Sequence, residues 1–361
     1  MTKSLLYSRL YEWYARNHRD LPWRETEDGY RIWLSEVILQ QTRVAQGMDY
    51  YLRFVSRWPD VESLASAKED EVLREWQGLG YYSRARNLHK AAQMVVERGW
   101  TPFPTRYEDI RTLPGVGDYT AGAISSFAYN QPYPAMDGNV YRVVARLLDI
   151  DEAFDTTSGK KLFRQLINML LDKENPRLFN TAIMEFGALY CTPVLGENCL
   201  PCPLQGVCAA YAHGTAELLP IRKPRPKVRD RWLIYHIYIT RANGETVTLI
   251  RQRTEKDIWY HLYEFPCEET DCPENGAGGR AQTVTGAQPE TEQKTVFSCT
   301  HVLSHQRLHA QFVVHQADVL PEIADTICIP WQDLDQYALS RLTLRALEHL
   351  YPREETERLK K

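Results

Sequence analysis

The sequence predicts a multidomain chain, with a mostly α-helical N-terminal part and an α+β C-terminal part. Three observations carry this. The length of 361 residues favours two domains. Apolar residues recur at helical spacing through residues 1–212. Beyond a basic, proline-rich segment at 220–231, that period gives way to alternating aromatic and aliphatic residues. Composition is ordinary for a globular protein, at 43% hydrophobic and 25% charged. The net charge of −4 gives no general attraction to nucleic acid, so any DNA affinity must lie in local patches.

Taken in order, Leu6, Leu10, Trp13 and Tyr14 read as one face of a packed first helix. Arg9, Glu12 and Arg16 interrupt it, so it lacks the apolar core of a secretory signal. No apolar run is long enough to span a bilayer. A cytoplasmic setting is therefore expected, where clustered cysteines hold metal more often than they pair as disulfides. A second helix is expected from Ile32-Trp33-Leu34 through Val37 and Ile38 to Val44. Others are expected around Leu88, Ala91, Ala92 and Val95, and around Val140, Val143, Val144 and Leu147. Gly78-Leu79-Gly80 and Phe103-Pro104 punctuate these runs. Pro220, Pro224 and Pro226 favour an extended, semi-rigid linker. Trp232–Thr240, Thr246–Arg251 and Phe312–Val314 read as strands, 274–290 as a loop, and Leu339–Leu350 as a closing helix. The expected boundaries are a domain at 1–219, the linker at 220–231, a second domain at 232–351 and a charged tail at 352–361.

Three local patterns carry chemistry. Leu113-Pro114-Gly115-Val116-Gly117 suits a tight turn between two helices, in which Gly115 and Gly117 can take positive φ and let a phosphate approach the backbone. The helix that follows would add its free N–H groups and its dipole. Asp137, ahead of Gly138-Asn139-Val140, reads as an N-cap, and a capped carboxylate is held fixed and ionised. Cys191, Cys199, Cys202 and Cys208 follow with x7, x2 and x5 between them. Four thiolates so placed can bind a 4Fe–4S cluster or one zinc ion. Cys267, Cys272, Cys299 and Cys328 show no such spacing.

The run Leu113–Ala121 with Asp137 resembles the helix–hairpin–helix, Gly/Pro…Asp DNA glycosylases. Trp33 to Thr42, Gly78 to Leu88 and Asp137 to Val140 narrow the resemblance to the adenine-specific MutY branch. It is strong from about residue 4 to 215. Residues 229–350 are weakly similar to that branch's Nudix-like domain, which recognises 8-oxoguanine. No Gly-x5-Glu-x7-Arg-Glu box is present, so pyrophosphate hydrolysis is not expected.

This resemblance implies a helix–hairpin–helix glycosylase fold with an iron–sulfur cluster loop, then a Nudix-like domain. The implied activity is removal of adenine opposite 8-oxoguanine in double-stranded DNA, by a monomeric bacterial enzyme that flips the base out of the stack. Spacing alone puts Glu36 on a helix flank with Gln40 and Arg43, as a solvated residue would be. The resemblance makes it the acid that protonates adenine, with Asp137 stabilising the positive charge that develops on the sugar. Tyr119 stands where lyase relatives carry a lysine, so no Schiff base can form and strand cleavage is not expected. The resemblance places its hydroxyl on the catalytic Asp.

Leu21, Trp23 and Arg24 would border the adenine pocket. Gln41 and Tyr81 would wedge into the duplex, with Thr42 touching the opposite guanine. Gly115, Val116 and Gly117 would hold a phosphate, and Cys191, Cys199, Cys202 and Cys208 a 4Fe–4S cluster. Ser304 and His305 match a Phe-Ser-His loop that reads the oxidised guanine, with Leu303 replacing the phenylalanine. Thr181 stands where relatives often have Glu or Gln, and the first cysteine spacing is one residue longer than usual. An endonuclease III-like lyase and a non-enzymatic cluster-bearing damage sensor are the alternatives. His301, His305 and His309 could instead form a metal site. Protein partners cannot be read.

Overall fold

A computed structural model describes residues 2–224, 228–242, 244–270 and 293–350. The expected loop at 274–290, the tail at 352–361 and part of the linker fall outside these. The helices are α1 (Lys3–Asn17), α2 (Gly29–Ile38), α3 (Val44–Arg57), α4 (Val61–Ser66), α5 (Glu69–Glu75), α6 (Ser83–Glu97), α7 (Tyr107–Arg111), α8 (Asp118–Tyr129), α9 (Gly138–Leu148), α10 (Thr157–Leu170), α11 (Pro176–Leu189), α12 (Ala209–His213) and α13 (Arg341–Leu350). The strands are β1 (Arg229–Ala242), β2 (Glu245–Gln252), β3 (Tyr263–Glu264), β4 (Cys267–Thr270), β5 (Gln293–Val302), β6 (Gln306–Gln316) and β7 (Thr326–Pro330). No described helix is long and apolar enough to cross a membrane. The chain forms two compact units, one of residues 1–67 and 87–224, the other of 68–86 and 225–361.

The first unit is helical. Leu6, Leu10 and Trp13 of α1 are buried against Val140, Val143, Val144 and Leu147 of α9, Phe163 and Ile167 of α10, and Phe179, Ile183 and Phe186 of α11. Fully burying each such side chain stabilises the fold by about 1.5–3 kcal/mol. A second set of contacts joins α2 to α3 and α8, and α7 to α8. The expected helix running from Ile32 to Val44 is broken. Helix α2 ends at Ile38, and Gln41 takes a left-handed φ of 56° before α3 begins at Val44. Apolar residues continue across the break through Leu39 to Val44, and α2 is buried on nearly every side, so pattern alone cannot find the turn.

The second unit is built on a mixed sheet of order β3-β2-β1-β6-β5, with β4 also paired to β1 and β7 to β2. The β1–β6 pair is parallel and the others are antiparallel. Leu233, Tyr235 and Ile237 of β1 and Leu308, Ala310 and Phe312 of β6 share a core with Leu342, Ala346 and Leu347 of α13. Strand β1 starts at Arg229, inside the expected linker, because Arg229 to Trp232 pair with Gln306 to His309. The recognition loop expected at Leu303-Ser304-His305 follows strand β5, which runs as far as Val302. Only residues 303–305 form the turn to β6, closed by Leu303 N–H donating to Gln306 O at 2.8 Å.

Candidate active site and cysteine loop

Helices α7 and α8 and the turn between them form the expected helix–hairpin–helix. Gly115 has φ of 77°, and a Cβ there would lie 2.9 Å from the Asn87 side chain, so glycine is required twice over. Gly117 departs from the expectation. Its φ is −92° with ψ near 180°, ordinary extended backbone, as befits the N-cap of α8. No side chain caps α8, and the space where a Gly117 Cβ would lie is open. Gly115 and Gly117 are exposed, whereas the Val116 side chain is buried and anchors the turn. Asp118 in the first turn is bonded by Arg111 at 2.6 Å and by Arg164.

Asp137 caps α9. One oxygen accepts from Val140 N–H at 2.8 Å and the other from the Asn139 amide at 2.7 Å. Two close approaches fix this cap. Asn180 on α11 accepts from Ala135 N–H at 3.1 Å and donates to Tyr133 O at 2.9 Å, which pins the segment leading in. Gly187 lies so near Asn139 that a Cβ would come within 2.8 Å of it.

Glu36 is buried, at 7% exposure, and is not the solvated residue that spacing suggested. Tyr119 donates its hydroxyl to Glu36 Oε2 at 2.6 Å, so this bond goes to Glu36 and not to Asp137 as the resemblance implied. Burial raises the Glu36 carboxyl to about 7 against the opposing pull of the Tyr119 bond, with the Asp137 charge adding to the rise and Arg24 opposing it. Asp137 is also pushed up by burial, but the Val140 and Asn139 donors favour its anion. Two carboxyls in one cavity thus differ in their donors: Asp137 accepts two bonds that favour its anion, and Glu36 accepts one from Tyr119.

Both carboxyls line one open cavity with Tyr119, Leu21, Trp23, Arg24, Gln40, Gln41, Thr42, Thr181 and Glu185. Gln41 is exposed on its left-handed turn. Trp23 is buried edge-on against Tyr51, with ring centroids 5.1 Å apart. Thr181 gives its hydroxyl proton to Arg177 O at 2.8 Å. Sequence reasoning missed Glu185. It is fully buried and accepts from Arg19 N–H at 3.0 Å, Nε at 2.8 Å and Nη2 at 2.7 Å, and from Arg24 Nη2 at 2.7 Å. Burial alone would raise its carboxyl, but these bonds hold it at about 2.

In the second unit, Tyr81 and Ser304 meet, 223 residues apart in sequence, through a hydroxyl–hydroxyl hydrogen bond. Gly78, Gly80 and Tyr81 all have positive φ, and Arg84 donates to Leu79 O and Gly80 O at 3.3 and 3.2 Å, which holds this turn. Ser304 and His305 are exposed on the β5–β6 turn. Among the described residues no three His, Cys, Asp or Glu side chains are placed to hold a single metal ion. His309 instead bonds Asp230 at 2.7 Å.

Cys191, Cys199, Cys202 and Cys208 line a single apolar cavity with Leu147, Phe186, Tyr190, Leu195 and Leu204. Arg146, 2% exposed, lies 3.3 Å from Cys191 Sγ and donates to Thr192 O at 2.8 Å. Arg142 donates to Cys191 O at 2.7 Å and to Asn139 Oδ1 at 2.8 Å. The one sequence signal for these two was their position among valines on an amphipathic helix.

The family of HhH-GPD superfamily base excision DNA repair proteins matches residues 34–169, and the NUDIX domain family matches residues 235–349. The adenine DNA glycosylase of Buchnera aphidicola subsp. Schizaphis graminum is 32% identical over 317 residues, covering 86% of this chain and 87% of that protein. The mouse adenine DNA glycosylase is 41% identical over 232 residues, covering 62% and 45% respectively. Among solved structures, a thermostable thymine-DNA glycosylase aligns with a TM-score of 0.53 at 25% identity, covering 58% of this chain and 97% of that one.

Proposed function

The chain belongs to the adenine DNA glycosylase family, and on that premise we propose that it excises adenine opposite 8-oxoguanine by a monofunctional mechanism, with Glu36 as acid and Asp137 as charge stabiliser. The activity class, base-excision adenine glycosylase, follows from the relatives. The observation that carries the mechanism is the contrast between the two carboxyls in one cavity: Glu36 buried and holding a proton near neutrality, Asp137 provided with donors to its anion.

Glu36 gives its proton to N7 of the flipped adenine. The C1′–N9 bond then breaks, and its electron pair leaves with the base. Asp137 faces the positive charge left on the sugar. Water adds at C1′ and its proton passes to Glu36, which restores the acid. Tyr119 holds Glu36 in place and offers no amine for a lyase step. Leu21, Trp23 and Arg24 bound the base pocket, while exposed Gln41 and half-buried Thr42 line its rim and would meet the DNA. The hairpin backbone at Gly115 and Gly117 binds a phosphate, while the Val116 N–H closes the turn on Leu113 O at 3.1 Å. The enzyme acts as a monomer.

Tyr81 and Ser304 are read as one reader of the orphaned guanine, with His305 beside them. Their contact within one unit supports this. Ser304→Ala is expected to slow excision opposite 8-oxoguanine by about tenfold, the worth of one hydrogen bond, while leaving excision opposite guanine nearly unchanged. Single-turnover rates on the two duplexes check it, and equal losses on both would remove Ser304 from lesion reading.

Cys191, Cys199, Cys202 and Cys208 would hold a 4Fe–4S cluster. All-sulfur donors around an apolar cavity, with a buried guanidinium beside one of them, fit a polynuclear anionic group, and no three of the described ligands are placed to hold a single ion. Such a cluster would supply structural order to residues 191–208. Purified protein is expected to contain about four irons per chain, against one zinc for a single-ion site. Cys202→Ala is expected to lose that iron and bind duplex DNA more weakly, as metal analysis and gel shift would show.

A further inference from the structure

Glu185 is the most heavily bonded buried carboxylate at the cavity, and the reaction as written does not use it. It lies on α11, fully buried, and takes four hydrogen bonds from two arginines. Through Arg24 Nη2 it anchors one side of that guanidinium. Arg24 Nη1 is buried and has no hydrogen-bond partner among the described residues. Glu36, Tyr119 and Asp137 line the same cavity as Arg24.

We propose that Glu185 is a positioning residue: it ties Arg24 to the pocket wall, so that Arg24 does not pair with Glu36. This rests on the reading of Glu36 as the acid.

The charges make the tether necessary. Glu36 on α2 is faced by Tyr119 from α8, by Asp137 at the head of α9 and by Arg24 from the loop after α1. Tyr14, Arg19, Arg43, Arg177 and Glu185 line the remainder of the cavity. Two guanidinium groups share the single Glu185 carboxylate, so this corner already carries an excess positive charge. Without Glu185, Arg24 has two carboxyls within the same cavity as alternative partners. Pairing with Glu36 would ionise the acid, and an ionised Glu36 has no proton to give. Loss of the Glu185 charge acts in the same direction as the swing of Arg24, since both favour the Glu36 anion.

The test is the pH dependence of single-turnover adenine excision, compared between the wild type, Glu185→Gln, Glu185→Asp and the double variant Glu185→Gln/Arg24→Met. Glu185→Gln is expected to move the alkaline limb down by about one pH unit, so that its rate deficit grows to about tenfold above neutrality and shrinks at acid pH. Glu185→Asp keeps the charge and should keep the limb. The double variant should bring the limb back toward the wild-type position. A Glu185→Gln deficit that is the same at every pH would show a merely structural residue and overturn the proposal. If Glu185→Gln does not fold, Arg24→Met alone carries the test: its limb should move up, and an unmoved limb overturns the proposal. A wild-type profile with no alkaline limb would instead refute Glu36 as the acid, which separates the two failures.

Discussion

Replacing Asp137 by asparagine is expected to slow adenine excision by about 10³-fold while leaving DNA binding and stability close to wild type. Asparagine caps a helix about as well as aspartate, so the bond from Val140 N–H can persist and α9 keeps its start. What is lost is the negative charge facing the sugar as the glycosidic bond breaks. The loss is large because the carboxylate is preorganised: Asn180, Gly187 and Asn139 fix its position before substrate arrives. The check is a single-turnover rate set beside a gel-shift affinity for the same duplex. A rate within tenfold of wild type would remove Asp137 from the chemistry. Complete loss of excision with retained binding also disposes of the damage-sensor alternative, which needs no carboxylate at this position.

Glu36→Gln is expected to cost about 10²–10⁴-fold at neutral pH, the usual worth of a general acid, and to abolish the alkaline limb of the pH profile. The sign follows from burial. Glu36 holds its proton up to about 7, so the wild-type enzyme is competent below that pH and loses rate about tenfold per unit above it. Glutamine has no proton to lose, so the variant's residual rate should be flat through this range. The Tyr119 bond opposes the rise, because it favours the anion. Rates from pH 5 to 9, an interval of about two units either side of the Glu36 value, check this. A limb that survives in Glu36→Gln would assign the acid to another group.

Much of this site is legible in the sequence because its rules are local. The Asp137 cap lies within four consecutive residues, Asp137 to Val140, and the turn at Leu113–Gly117 depends on the conformational freedom of Gly115. The cysteines announce themselves by spacing. Glu36 was not legible from pattern: its hydrogen-bond partner Tyr119 lies 83 residues away on α8, and nearly the whole of α2 is buried with it. Glu185, Arg142 and Arg146 were hidden for a similar reason. Charged residues are seldom buried unless paired, and apart from the Arg142–Asn139 bond the partners named here lie 45 to 166 residues away. The break between α2 and α3 was invisible because apolar spacing continues through a left-handed Gln41. The grouping of 68–86 with the second unit was equally hidden. It rests on side chains such as Gln77, which accepts from Leu339 N–H at 2.9 Å across 262 residues. Strand β5 drew no strand expectation from its own residues, since the pairing partner that fixes it lies in β6.

The most direct test is single-turnover cleavage of duplexes holding adenine opposite 8-oxoguanine, guanine and thymine, each read with and without alkali. Strand breaks that appear only after alkali, fastest opposite 8-oxoguanine, slower opposite guanine and absent opposite thymine, are the expected result. Breaks formed without alkali would contradict a monofunctional enzyme with Tyr119 in place of a nucleophilic amine, and no excision from any duplex by iron-loaded protein would contradict the assignment of Glu36 and Asp137.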